Sequence, residues 1–135
     1  MLRKILVVDD SELLHRMYDL VLMRYRNAGT IVLHARNGSE AVNTVHQHDD
    51  IDLMLLDINM PVMGGLQVLN GLRVTGRLSR LTVIMVSTEG HEADVQHALV
   101  SGASAYVTKP FTPAHLYDLI ARRFGNVAPT AARTS

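Results

Sequence analysis

Short apolar runs alternate along this chain with segments in which apolar residues recur every three or four positions. The first run covers residues 4–8. The segment after it carries apolar side chains at helical spacing: Leu13, Leu14, Met17, Leu20 and Val21. A continuous short run predicts a buried strand, and the helical spacing predicts an amphipathic helix for which Ser11 is a suitable N-cap. The chain therefore begins with a strand followed by a helix.

The same alternation continues to residue 124. Strands are predicted at residues 4–8, 30–35, 51–56, 81–86 and 105–107. Helices are predicted from Ser11 to the break at Asn27-Ala28-Gly29, after Asn37-Gly38, at about 66–73, at about 93–100, and from Thr112-Pro113. Strands that alternate with helices predict a parallel sheet covered on both faces, and the nearly uniform apolar third and fourth strands suit its centre. We therefore expect an α/β fold with a doubly wound sheet of five parallel strands.

The length of the chain, 135 residues, suits one domain, which we place at residues 1–124. Residues 125–135 are rich in Ala, Thr and other small residues, which is typical of a flexible tail or the start of a linker. No apolar run exceeds four residues, so we expect no transmembrane segment. The default location is then the cytoplasm.

Charge and cysteine content narrow the functional classes. Lys plus Arg and Asp plus Glu each total 13, which gives a formal net charge of zero. This balance argues against nucleic acid or an anionic membrane as the main partner. The chain has no cysteine, which excludes disulfides, thiolate zinc sites and cysteine nucleophiles.

Polar residues follow the predicted strands at their C-terminal ends, which lie at one edge of a parallel sheet. They are Asp9, Asp10, Asp57, Ser87, Thr88 and Lys109. Two carboxylates about 5 Å apart repel by roughly 3 kcal/mol at an effective dielectric of about 20, enough to protonate one of them or to require a cation. Mg²⁺ suits one or two carboxylates beside a phosphate, and an aspartate that attacks phosphorus forms an aspartyl phosphate. This edge therefore predicts phosphoryl chemistry at a magnesium site.

Four motifs stand at these strand ends. They are Ile5-Leu6-Val7-Val8-Asp9-Asp10-Ser11, Leu55-Leu56-Asp57-Ile58-Asn59-Met60-Pro61-Val62-Met63-Gly64-Gly65, Val86-Ser87, and Gly102-Ala103 through Tyr106 to Lys109-Pro110-Phe111. In this order they resemble the receiver domains of two-component response regulators, of the CheY-like type, over about residues 3–124. The resemblance implies a flavodoxin-like (βα)5 three-layer sandwich. It also implies a signalling protein that catalyses its own phosphorylation and dephosphorylation, not an enzyme in the usual sense.

The resemblance assigns the chemistry to particular residues. Asp57 would be the phosphoacceptor and would receive the phosphoryl group from the phosphohistidine of a histidine kinase. Asp9, Asp10 and Asp57 would bind Mg²⁺, together with the main-chain carbonyl of Asn59. Lys109 would contact the phosphoryl oxygens, and its bond to Pro110 is expected to be cis.

The resemblance also implies a switch. Ser87 and Tyr106 would move on phosphorylation and reshape the surface of the fourth predicted helix, the fifth strand and the fifth predicted helix. That surface would bind an output protein whose identity the sequence does not give, and the chain would be a monomer or a weak dimer. Asn59 and Glu89 occupy positions that tune hydrolysis in the family, from which we expect a short-lived phosphoryl state.

Other functions remain open. Within the same class, the alternatives are a phosphorelay intermediate, a phosphate sink, and one domain of a longer regulator. An aspartate-nucleophile phosphohydrolase of the haloacid dehalogenase type needs an acid two residues after the nucleophile, where this chain has Asn59. A flavodoxin-like nucleotide binder is disfavoured by the acids of the first loop. Among the histidines, His15, His91, His97 and His115 fall on predicted helices without a matching carboxylate pattern.

Overall fold

The computed structural model describes residues 2–88 and 92–125. Five parallel strands form one sheet in the order β2–β1–β3–β4–β5, as in flavodoxin-like folds. The strands are β1 (Lys4–Val8), β2 (Ile31–Ala35), β3 (Ile51–Asp57), β4 (Thr82–Thr88) and β5 (Ala105–Lys109). The predicted fold class, a doubly wound sheet of five parallel strands, is confirmed.

Helices cover both faces of this sheet. They are α1 (Glu12–Val21), α2 (Met23–Asn27), α3 (Gly38–Gln47), α4 (Gly65–Val74), α5 (Glu92–Val100) and α6 (Pro113–Phe124), with a short 3-10 helix at Arg77–Arg80. The segment predicted as one first helix is thus two helices, and the fourth and fifth predicted helices are α5 and α6. The junction is Leu22, which is fully buried and has a ψ of 3°, so tertiary packing overrides the helical pattern there.

The alternation of side chains along the central strands divides the core into two layers. On β1, Leu6 and Val8 pack in one layer, and Ile5 and Val7 pack in the other. Successive strand residues point to opposite faces, so a run of apolar residues serves both layers only when helices cover both. This explains why the third and fourth predicted strands carry so few polar residues.

Two helix starts follow the predicted caps. The Ser11 hydroxyl accepts a hydrogen bond from the Leu14 N–H at 3.3 Å, and the Thr112 hydroxyl accepts one from the His115 N–H at 3.1 Å. Each cap satisfies one of the N–H groups that a helix leaves unpaired at its N-terminus. Because α1 and α6 follow β1 and β5, these caps fix the chain just beyond Asp9-Asp10 and Lys109.

Three strands extend further than their apolar runs indicate. Parallel pairing continues through the pairs Asp57 with Val86, Ser87 with Thr108, and Thr88 with Lys109. The reason is that backbone pairing does not require an apolar side chain. Asp57, Ser87 and Lys109 therefore lie on strands, where their positions are better fixed than in loops.

Some expectations concern residues that lie outside the described ranges. Glu89 and the segment 126–135 are among them, so the tail beyond the domain and the role of Glu89 stay predictions. Within residues 2–88 and 92–125, none of the helices has the length and apolar character that a membrane crossing requires.

Candidate functional site

Three carboxylates meet at the C-terminal edge of the sheet. Asp9 follows β1 and is fully buried, Asp57 ends β3 and is 2% exposed, and Asp10 is exposed. One oxygen atom from each lies within 4.8 Å of the other two. The site is therefore a cluster of two buried acids that opens to solvent at Asp10.

Main-chain N–H groups hold the two buried carboxylates. Asp9 Oδ1 accepts a hydrogen bond from the Ser11 N–H at 2.9 Å, and Asp57 Oδ1 accepts one from the Asn59 N–H at 3.1 Å. The Asp9 N–H in turn donates to the Ala35 carbonyl at the end of β2. Each carboxylate thus has one oxygen bound by backbone, which leaves its second oxygen for the shared pocket.

Lys109 reaches this pocket from the end of β5. Its Nζ lies 3.1 Å from Asp9 Oδ2 and 3.5 Å from Asp57 Oδ2, and its bond to Pro110 is cis, as predicted. One ammonium group faces three carboxylates, so it neutralises only part of their charge. A negatively charged pocket of this kind favours a further cation.

The pKa of Asp57 reflects both its burial and the incomplete neutralisation of the cluster by Lys109. Burial raises the pKa of this carboxyl from 3.8 to about 6, and the neighbouring Asp9 and Asp10 add to the rise, against the lowering effect of Lys109 and the Asn59 N–H. The donors are oxygen atoms only, and one side of the cluster is open to water. This donor set fits a hard divalent cation such as Mg²⁺, which prefers a few carboxylates and keeps several waters.

The loop after Asp57 folds tightly against the sheet edge. Its path requires glycine at position 65, because a Cβ there would collide with the Asp57 carbonyl oxygen. Val62 at the tip of the loop is fully exposed and has a φ of +67°, a strained conformation for a β-branched residue. The loop that follows Asp57 therefore holds a strained residue at its exposed tip.

Ser87 lies on β4, the strand next to β3 and Asp57, and Tyr106 lies one strand further away, on β5. Ser87 is buried, whereas Tyr106 is 45% exposed. Both border a cavity of about 160 Å³, whose other lining residues are Thr88, Glu92, Val95, Gln96 and Thr108. A cavity of this size leaves space for the side chains around it to rearrange.

Comparison with known proteins identifies the family of this chain. The family described as response regulator receiver domain matches residues 5–121. The chain belongs to this family. A chemotaxis protein CheY homolog of Campylobacter jejuni is 38% identical over 110 residues, covering 82% of this chain and 83% of the relative. The chemotaxis protein CheY of Pseudomonas aeruginosa is 34% identical over 125 residues, covering 92% and 98%.

Solved structures agree with the fold of this receiver domain. The Vibrio cholerae chemotaxis protein CheY4 superposes with a TM-score of 0.78 at 30% identity, covering 90% of this chain and 98% of that protein. The recognition of a CheY-like receiver from the sequence is thereby confirmed. The sheet edge of this receiver brings together the residues that the sequence placed at the strand ends, which are Asp9, Asp10, Asp57, Ser87, Thr88 and Lys109. Asn59, which the resemblance added, lies there as well.

Sequence reasoning missed one group that contacts the site of this receiver. His15 is 2% exposed, and its Nε2–H donates to the Asp9 carbonyl at 2.8 Å. Its Nδ1 lies 2.6 Å from Nδ1 of His34, whose Nε2 lies 2.9 Å from Asp19 Oδ1. No sequence pattern indicates this group, because His34, which lies between His15 and Asp19, is on a separate strand.

Proposed function

We propose that this receiver domain accepts a phosphoryl group on Asp57 from the phosphohistidine of a histidine kinase. A single observation carries the proposal: a buried carboxylate faces a lysine and two further acids in a pocket open to solvent. A buried carboxylate with a purely structural role is expected to have enough cationic partners to balance its charge. Asp57 lacks that balance, because it shares Lys109 with two further acids. An ionisable group whose surroundings disfavour its charged form, and so shift its pKa, is typical of functional sites.

The free oxygen of Asp57 would act as the nucleophile. A bond forms between this oxygen and phosphorus, and the bond between phosphorus and the histidine nitrogen breaks, so the histidine leaves with the electron pair. The second oxygen remains hydrogen-bonded to the Asn59 N–H, which holds the carboxylate in one orientation. Lys109, already 3.5 Å from Asp57, would neutralise negative charge on the phosphoryl oxygens as they arrive.

Asp9, Asp10 and Asp57, with the Asn59 carbonyl, would hold a Mg²⁺ ion. Bound there, the ion would supply positive charge to phosphoryl oxygens that Lys109 alone does not balance. Asp9 is tied to the backbone of Ser11, so its carboxylate is positioned before any cation arrives. Asp10 is exposed and would adjust its position to complete the set of ligands.

Phosphorylation would be read by Ser87 and Tyr106. The Ser87 hydroxyl would donate a hydrogen bond to the phosphoryl group, and the Tyr106 ring would turn toward the cavity that both residues border. Those movements would change the surface formed by α5, β5 and α6, to which an output protein would bind. A phosphohydrolase is not supported, since Asn59 has no acidic proton to give.

Phosphorylation with acetyl phosphate and Mg²⁺, followed by mass spectrometry, tests the acceptor. The wild-type protein should gain one phosphoryl group, and Asp57→Asn should gain none. Asp52→Asn, at the other end of the same strand, is the matched control and should behave as wild type. Phosphoryl uptake by Asp57→Asn equal to that of the wild type would refute the assignment.

NMR with beryllofluoride and Mg²⁺ tests the switch separately. Chemical-shift changes should extend from Ser87 to Tyr106 and along α5. Changes confined to the acidic cluster would mean that the domain takes up phosphate without altering its output surface. That result would favour a phosphate sink or a relay intermediate.

A further inference from the structure

Three polar side chains form a chain of close contacts that leads away from the acidic cluster. His15 and Asp19 lie one turn apart on α1, and His34 lies between them on β2. The Nδ1 atoms of the two histidines are 2.6 Å apart, and their rings meet edge to face. Two nitrogens at hydrogen-bond distance share a proton, so one of them donates and the other accepts.

The second nitrogen of each histidine is also a donor. His15 Nε2 lies 2.8 Å from the Asp9 carbonyl oxygen, which only accepts hydrogen bonds. His34 Nε2 lies 2.9 Å from Asp19 Oδ1, and an ionised carboxylate likewise only accepts. These three hydrogen bonds need three N–H groups, whereas two neutral imidazole rings have only two. The histidine pair therefore holds one additional proton and carries one positive charge.

The positive charge belongs on His34. His15 is 2% exposed, and its Nε2 faces an uncharged carbonyl group. The side chain of His34 is 21% exposed and contacts the carboxylate of Asp19, whose side chain is 40% exposed. Burial penalises a charge that has no partner, whereas a neighbouring carboxylate and water stabilise it. The nearby charges of Arg36 and Glu12 pair with each other at 2.6 Å, so Asp19 is the carboxylate bonded to His34.

The histidine pair also holds the main chain of Asp9. The Asp9 N–H donates to the carbonyl of Ala35, which follows His34 on β2, and the Asp9 carbonyl accepts from His15. A neutral imidazole has its proton on either nitrogen, and the partner of the other nitrogen decides which. Because His34 donates to Nδ1 of His15, the proton of His15 is fixed on Nε2, where it faces Asp9. The orientation of this acid thus depends on β2 at both of its main-chain groups.

We propose that His34 is an imidazolium ion paired with Asp19, and that it positions Asp9 by fixing the tautomer of His15. His34 touches neither the phosphoryl group nor the cation in this role, so it is a positioning residue. The proton count and the contact with Asp9 depend on the geometry alone. The effect on cation binding rests on the proposed magnesium site, since Asp9 is one of the ligands proposed there.

NMR of the ¹⁵N-labelled histidine rings tests the charge of His34 at pH 7 in EDTA. Both ring nitrogens of His34 should show the shifts of protonated nitrogen, whereas His15 should show one protonated nitrogen and one unprotonated nitrogen. The exposed His46 is the reference for an ordinary ring. A neutral His34 ring in the wild type would refute the charge assignment.

A pair of matched variants tests the role of Asp19. Asp19→Asn keeps an oxygen that accepts from His34 but removes the opposite charge, so the protonated fraction of His34 at pH 7 should fall. Asp118→Asn makes the same charge change at an exposed position of α6 and should leave that fraction unchanged. An unchanged fraction in Asp19→Asn would also refute the ion pair.

Variants of His34 test the positioning of Asp9. His34→Phe removes the donor to His15, whereas His34→Gln supplies a donor from its side-chain amide. The Asp10 amide shares a peptide group with the Asp9 carbonyl, so its signal should shift in His34→Phe without Mg²⁺. His34→Phe should weaken Mg²⁺ binding about tenfold, as the loss of groups that orient metal ligands does, and His34→Gln should recover most of that loss. His46→Phe is the matched control and should bind Mg²⁺ as the wild type does.

The contrary results separate this proposal from the proposed function. Wild-type Mg²⁺ affinity and an unmoved Asp10 signal in His34→Phe would show that His34 does not position Asp9. Equal losses of affinity in His34→Phe and His34→Gln would assign the effect to packing on β2, which would also overturn the proposal. A wild-type protein that binds no Mg²⁺ would refute the proposed magnesium site, and the ring shifts and the Asp10 signal would still decide the role of His34.

Discussion

The ionised Asp57 carboxylate should destabilise the metal-free domain, and its replacement by Asn should remove that penalty. A rise of the pKa from 3.8 to about 6 corresponds to roughly 3 kcal/mol against the charged form. The pocket opens to solvent beside Asp10, so screening reduces this to about 1.5 kcal/mol. Asp57→Asn is nearly isosteric and retains an oxygen for the Asn59 N–H. We therefore expect it to be the more stable protein at neutral pH.

The pH dependence follows from the direction of the shift. Because the folded protein binds this proton more tightly than the unfolded chain, stability from Asp57 is complete below about pH 4 and is lost as pH rises to about 6. Urea denaturation in EDTA should give similar stabilities for wild type and Asp57→Asn at pH 4. At pH 7.5 the variant should be more stable by about 1.5 kcal/mol.

Mg²⁺ and a matched variant sharpen the test. Saturating Mg²⁺ should stabilise the wild type more than Asp57→Asn, because ligand binding to the folded state adds to its stability. Asp52→Asn should have the opposite effect on stability: this variant should be less stable than the wild type at pH 7.5. Burial alone would raise the pKa of Asp52, but the hydrogen bonds and charge of Arg3 hold it below its usual value. A wild type more stable than Asp57→Asn at pH 7.5 in EDTA would refute the reasoning.

Substitutions at three further positions test the surroundings of the site by urea denaturation. Val62→Gly should stabilise the domain by about 1 kcal/mol because it relieves the positive φ, whereas Val62→Ala should gain little of this. Gly65→Ala should destabilise it by about 2 kcal/mol, since the new Cβ would meet the Asp57 carbonyl; an unchanged midpoint would contradict the tight loop. His15→Phe should cost about 2 kcal/mol and weaken Mg²⁺ binding, because the buried Asp9 carbonyl loses its donor; a loss of stability with unchanged Mg²⁺ affinity would limit His15 to a structural role.

The fold was predictable because its signals are local. Apolar runs, the caps at Ser11 and Thr112, and the alternation of strands and helices each depend on neighbours in sequence. The break at Leu22 was not predictable in this way, since the helical pattern runs through it and only packing against the sheet interrupts it. The sequence also predicted the ends of β3, β4 and β5 too early, because the pairing that extends them, such as Thr88 with Lys109, joins segments that are distant in sequence.

The acidic cluster was also predictable, because parallel strands bring their C-terminal ends to one edge whatever their order in the chain. Side chains that meet across different elements carry no such rule. His34 meets His15 only because β2 lies beside β1, and Arg77 meets the Ile51 carbonyl only because the 3-10 helix folds under β3. His15 and Arg77 are both buried, whereas polar residues of these types are ordinarily expected at the surface. The features beyond the family motifs therefore arise from long-range contacts, and the measurements on His15→Phe probe one of them.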